Sequence, residues 1–313
     1  MKFAIYGFFF DKTFSFNEIT FIPIEGISYQ ERKKIANDRN HHNLTGYIET
    51  RELDPDSFIF SMQAVLTFVQ QQDVILVRID ESEAPSFYKF DFERKTHGAA
   101  PYASYMELLE EIVQKLYLKI IDDADPCNQK DGNNVFGKEH NCEFSSLVYK
   151  ITEPFHMRKS FIEMVYFLYF SGLEAFCKQY LKSNFPKLYS EQAPDAIGNA
   201  LEKLGIQYIN IYRDDGNYNL VNESLTEEQF LKLSITTYSN LRNSLFHSNK
   251  FVADTQISSK KIGKNKYPTK EVKITEYNNY LLRLCNAVVL KYIGITNKRL
   301  DCSKWYTRVQ MIK

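Results

Sequence analysis

The chain has 313 residues, enough for two domains at roughly 100–200 residues each. Hydrophobic residues make up 44% and charged residues 25%, which excludes general disorder, and 12 Gly with nine Pro exclude collagen-like and Gly/Pro-rich low-complexity chains. Five Cys is an odd and sparse count that argues against a secreted disulfide scaffold and for reduced thiols.

The formal net charge is zero, from 39 basic and 39 acidic residues, but the two signs are unevenly placed. Residues 1–155 hold 16 Lys and Arg against 25 Asp and Glu, whereas residues 156–313 hold 23 against 14. A basic second half suits a polyanionic partner, and the opposite charges also suit attraction between the halves. The N-terminus, Met1-Lys2-Phe3-Ala4-Ile5-Tyr6-Gly7-Phe8, lacks the apolar region and cleavage site of a secretory signal. The most apolar later run, Met164 to Cys177, contains Glu174 and falls short of the ~20 residues of a membrane span. A soluble cytoplasmic protein with no membrane partner is expected.

In chain order, the first hundred residues predict strands. Phe3 to Phe10 is a nearly continuous apolar run, and Thr13 to Ile24 partly alternates. Phe58 to Phe68 and Val74 to Ile79 are β-branched and aromatic runs, and Phe87 to Phe92 alternates strictly. From Pro101 to about Ile121 the period changes. Met106, Leu109, Val113, Leu116 and Ile120 step by three and four, which predicts an amphipathic helix. Asp122 to Cys142 is polar, broken by Pro126, Gly132 and Gly137, and reads as a linker.

The remainder predicts helices. One runs from His156 to about Asn184, apolar on most sides, and stops before Pro186. A second covers Ala193 to Leu204 and ends at Gly205. A third starts at the capping box Ser224-Leu225-Thr226-Glu227 and continues through Leu231, Ile235, Tyr238, Leu241 and Leu245. A fourth runs from about Thr275 to Ile293. The expected fold class is α+β: a β-rich N-terminal domain with a closing helix over 1–122, a linker over 123–142, and an all-α domain over 143–313.

Inside the third helix lies Leu241-Arg242-Asn243-Ser244-Leu245-Phe246-His247. No other His in the chain has an Arg five to seven residues before it. The stretch resembles the Arg-polar-x3-His motif of HEPN-domain ribonucleases, with a looser match at Ser171-Gly172-Leu173-Glu174-Ala175 in the long helix. The resemblance covers about residues 143–300 and implies a four-helix bundle. It also implies a homodimer that places two motifs across one cleft, in toxin or phage-defence proteins of the type that halts translation. The N-terminal domain would then be a sensor or restraint, answering a phage-derived trigger or regulatory partner.

On that resemblance the catalytic residues are Arg242, Asn243 and His247. The ribose 2′-OH attacks the adjacent phosphate and His247 exchanges protons near neutral pH. Arg242 presents its donors to the phosphoryl oxygens, and Asn243 orients the His or a phosphate. No metal or other cofactor is called for. Glu174 is either a partner for Lys178 one turn on or a supporting carboxylate for Arg242 or His247. Lys250, Lys260, Lys261, Lys264, Lys266 and Tyr267 form a basic stretch with an aromatic residue, either an RNA-binding loop or a solvated connection.

Other readings stay open at this level. The His can be a cation near a helix C-terminus and the Arg a surface ion pair. A HEPN module can also bind nucleotide or a partner protein without cutting. Cys127, His140, Cys142 and His156 lack the paired spacing of a zinc site, and His41-His42 reads as surface.

Overall fold

The computed structural model describes residues 1–51, 54–79, 83–89, 93–94, 105–128, 143–159, 161–206, 227–256, 269–295 and 300. The fold is α+β, and the chain divides into two compact units, one formed mainly by Met1–Arg158 and the other mainly by Lys159–Gly294.

The first unit is built on an antiparallel sheet. Its strands are β1 (Lys2–Tyr6), β2 (Phe14–Phe16), β3 (Ile19–Pro23), β4 (His41–Thr50), β5 (Ile75–Ile79) and β6 (Phe87–Lys89). The order is β2-β3-β4-β1-β5, with β6 pairing the first residues of β4. The long β4 sets the register, with Ile48 opposite both Phe3 of β1 and Phe21 of β3. Gly46 in β4 is required by close approach, because a Cβ there would run into the Phe10 ring and the Ile22 carbonyl. Phe14 and Phe21 stack at 4.4 Å inside this aromatic core.

Among the described residues, four helices join the sheet: α1 (Tyr29–Ala36), α2 (Pro55–Gln70), α3 (Met106–Asn128) and α4 (Glu143–His156). The run expected as a strand over Phe58 to Phe68 is therefore helix α2. Asp54 caps it by accepting from the Ser57 amide at 3.3 Å, and Pro55 occupies its first turn. Phe58, Met62, Val65, Leu66 and Val69 then fall on one helical face, a spacing hidden inside a nearly continuous apolar run. Helix α3 runs on to Asn128, so the start of the expected linker is helical.

Helix α4 packs on α2 and α3, so residues 143–156 belong to the first unit and not to the helical domain expected to begin at 143. The long helix expected from His156 to Asn184 starts six residues later, at Ile162, and ends where expected, while His156 itself closes α4. Pro154 removes a backbone donor in the last turn of α4, and the next helix starts only at Ile162.

His42, expected at the surface, is buried. Its Nε2 lies 2.9 Å from Asp73 Oδ2, and His156 Nδ1 lies 2.5 Å from Asp73 Oδ1. Arg94 is buried beside them and donates to the carbonyls of Gly7 (3.0 Å), Ala36 (3.1 Å), Asp38 (2.8 Å) and Asp73. Burial lowers the His42 pKa, opposed by the Asp73 hydrogen bond and aided by the Arg94 charge. Burial raises the Asp73 carboxyl, but hydrogen bonds from His156 and His42 outweigh it and the pKa falls below its ordinary value.

The second unit gathers around α5 (Ile162–Asn184), which packs against α6 (Ala193–Lys203), α7 (Glu227–Ser248) and α8 (Ile274–Tyr292). Val165, Tyr166, Tyr169, Phe170, Leu173, Phe176 and Cys177 bury most of α5. Its first turns are apolar on most sides as expected but are not enclosed, since Met164, Phe167 and the capping Phe161 are exposed. Between α7 and α8, β7 (Val252–Gln256) and β8 (Thr269–Lys273) pair antiparallel, so both ends of the stretch expected as a loop are strands. The capping box at Ser224 lies outside the described residues. No described helix is long and apolar enough to cross a membrane.

Two outcomes test the buried knot of the first unit. Gly7 adopts φ +81°, and a Cβ there would strike the Arg94 guanidinium. Gly7→Ala is expected to cost about 1–3 kcal/mol in urea denaturation. His42 and Asp73 both have depressed folded pKa values, so the unfolded chain takes up each proton first. Their stabilisation is full above the unfolded values, about 6.5 for His42 and about 4 for Asp73. Melting temperature should therefore fall as pH drops below about 6.5 and again below about 4, and His42→Gln should flatten the first limb.

Candidate functional site

Helix α7 carries Tyr238, Leu241 and Leu245 on its buried face, at a spacing of three and four residues. That stripe turns Asn243, Phe246 and His247 to the exterior and leaves Arg242 half-buried. The helix ends where Asn249 enters the left-handed region at φ 49°, its amide donating to the Leu245 carbonyl at 3.0 Å. His247 thus occupies the last turn of α7.

Arg242 is held from two directions. Its Nη1 donates to Asn243 Oδ1 at 2.8 Å, and its Nη2 lies 3.6 Å from Glu174 Oε2 on α5. The guanidinium also sits 5.7 Å from the Phe170 ring centre and 5.9 Å from that of Phe246, within cation–π range. Glu174 uses its other oxygen on Lys178 Nζ at 2.9 Å, and Lys178 lies 4.0 Å from Glu191. Both readings of Glu174 are therefore present at once: an ion pair one turn along α5 and a carboxylate beside the motif arginine.

His247 stands apart from this cluster. Among the described residues no hydrogen bond or ion pair reaches its ring. The neighbouring Phe246 is 54% exposed and contacts Phe167 of α5 at 4.9 Å between ring centres. Phe161, Met164 and Phe251 add to the exposed apolar side chains of this unit.

No protein-family model, curated protein or solved structure matches the chain. What the site can do is read from its own side chains: a fixed cation suited to an oxyanion, and an exposed imidazole able to donate and accept hydrogen bonds.

The structure brings together Arg242, Asn243 and Glu174, and it leaves His247 on the same helix but outside their contacts. Lys250 follows the helix end and is exposed. Lys260, Lys261, Lys264, Lys266 and Tyr267 lie outside the described residues, as do His140 and Cys142. Sequence reasoning missed Glu191 and the Phe167–Phe246 pair. The signal for the pair was the apolar surplus on α5, which exceeds what one core-facing stripe requires.

Structural and exposed faces of α7 should separate in denaturation. Leu241→Ala is expected to cost about 2–5 kcal/mol, whereas His247→Ala should stay within about 0.5 kcal/mol of the parent protein in the same urea titration.

Proposed function

We propose that the second unit is a HEPN-type, metal-independent endoribonuclease that works as a homodimer on cellular RNA. The observation that carries this reading is the pairing, on one helix, of a guanidinium oriented by Glu174 and Asn243 with an exposed imidazole five residues on. His247 takes the proton of a ribose 2′-OH, and the oxygen attacks the adjacent phosphorus. The P–O5′ bond breaks, the 5′ oxygen receives a proton, and a 2′,3′-cyclic phosphate and a 5′-OH end remain. Arg242 stabilises the charge that gathers on the phosphoryl oxygens.

A second copy is part of the proposal for a geometric reason. At ~100° per residue, Arg242 and His247 point about 140° apart around α7. One helix does not close both groups on a single phosphate, whereas two helices about a two-fold axis supply the missing side. The exposed Phe161, Met164, Phe167 and Phe246 give such a pair apolar surface to cover.

The basic balance of the second half supports a polyanionic substrate. A cytoplasmic toxin or anti-phage role follows from the family resemblance of the motif, with the first unit as a sensor or restraint that answers a phage-derived trigger or regulatory partner.

Purified protein incubated with total RNA and EDTA should cut it, and Arg242→Ala and His247→Ala should each abolish cutting. A substrate with a 2′-deoxy sugar at the cleaved position should resist; equal cleavage of it rules out the 2′-OH mechanism. Nucleotide affinity without any cutting would favour a non-catalytic module instead.

A further inference from the structure

We infer that Lys178 is a positioning residue that keeps the Arg242 guanidinium available to a phosphate by occupying the Glu174 carboxylate. The inference rests on the ribonuclease reading of Arg242 and concerns how that residue is kept ready.

Glu174 is the junction of two ion pairs and is itself 17% exposed. Its two oxygens are divided between two cations, Oε1 with Lys178 at 2.9 Å and Oε2 with Arg242 at 3.6 Å. The first distance is that of a charge-assisted hydrogen bond and the second is too long for one. An arginine–carboxylate pair frequently forms a two-pronged fork, with two parallel hydrogen bonds. Here the fork is not made, because one prong of the carboxylate is already committed to Lys178.

The difference matters for an anion-binding arginine. A forked guanidinium has spent two donors and most of its charge on its own protein, and a phosphate has to displace that carboxylate before it binds. A guanidinium held at 3.6 Å, steadied by Asn243 Oδ1 and the flanking Phe170 and Phe246 rings, is oriented without being neutralised. Glu191 adds a second, longer and more exposed acidic neighbour to Lys178, at 4.0 Å. Lys178 acts through Glu174 and has no contact with Arg242 of its own.

Three variants of the full chain test this: Lys178→Met, Lys178→Arg, and Lys178→Met combined with Glu174→Gln. Two readouts are used, RNA cleavage in EDTA and the rate at which phenylglyoxal modifies Arg242 in the folded protein, followed by mass spectrometry. In Lys178→Met, Glu174 closes on Arg242. Cleavage should fall about tenfold and modification of Arg242 should slow about threefold, shifts of the size expected when one charged contact is rearranged. Lys178→Arg should recover most of both, and adding Glu174→Gln to Lys178→Met should restore the modification rate, because the closing carboxylate has lost its charge. A merely structural role predicts the opposite sign, since a loosened site exposes Arg242 and speeds its modification. An unchanged or faster modification rate in Lys178→Met overturns the inference. If the parent protein cuts no RNA, the ribonuclease reading fails, and the modification rates still decide the role of Lys178.

Discussion

Where the Arg242 guanidinium rests is decided by one carboxylate on the neighbouring helix. The apolar stripe of α7 settles which residues face outward, but it leaves a long side chain free to swing. Glu174, Asn243 and the rings of Phe170 and Phe246 remove that freedom. Each contact is modest by itself, since exposed ion pairs contribute little to stability. Their combined effect is on position: the half-buried cation keeps one place beside α5.

The first unit handles a cation in the opposite way. Arg94 is almost fully buried, and burial pushes its pKa down to about 10, opposed by the charges of Asp73 and Asp38. Its hydrogen bonds run to four carbonyls from three separate segments, after β1, at the end of α1 and after α2. A buried guanidinium costs several kcal/mol to desolvate, and such a site persists because so many acceptors converge on it. Arg94 fastens chain segments together, whereas Arg242 is presented to the outside.

Much of this architecture was legible in the order of residues, and the failures have physical reasons. Strands β1 and β5 follow from short apolar runs, β3 and β6 from alternation, and helix α3 from three-and-four spacing. Helix α2 did not, because Phe58 to Phe68 is so uniformly apolar that both periods fit it, and only Asp54 and Pro55 at its start tip the balance. Helix α4 was missed although its apolar residues Phe144, Leu147, Val148, Ile151 and Phe155 keep helical spacing. His42 looked like a surface residue because its partners, Asp73 and His156, lie 31 and 114 positions away along the chain. At the motif, the helix and its outward face could be read from the stripe of Leu241 and Leu245. The sharing of Glu174 between Lys178 and Arg242 could not, since it depends on how α5 and α7 are rotated against each other.

The hairpin after α7 is laced to the same helix that bears the motif. Ser244 Oγ donates to the Val252 carbonyl at 2.6 Å, and Asn240 Nδ2 reaches the Asp254 carbonyl at 3.4 Å. Both anchors sit on α7 within one turn of Arg242 or His247, and both hold the first strand by its backbone. Parting β7 from α7 therefore means breaking hydrogen bonds to the helical turns that carry the guanidinium and the imidazole.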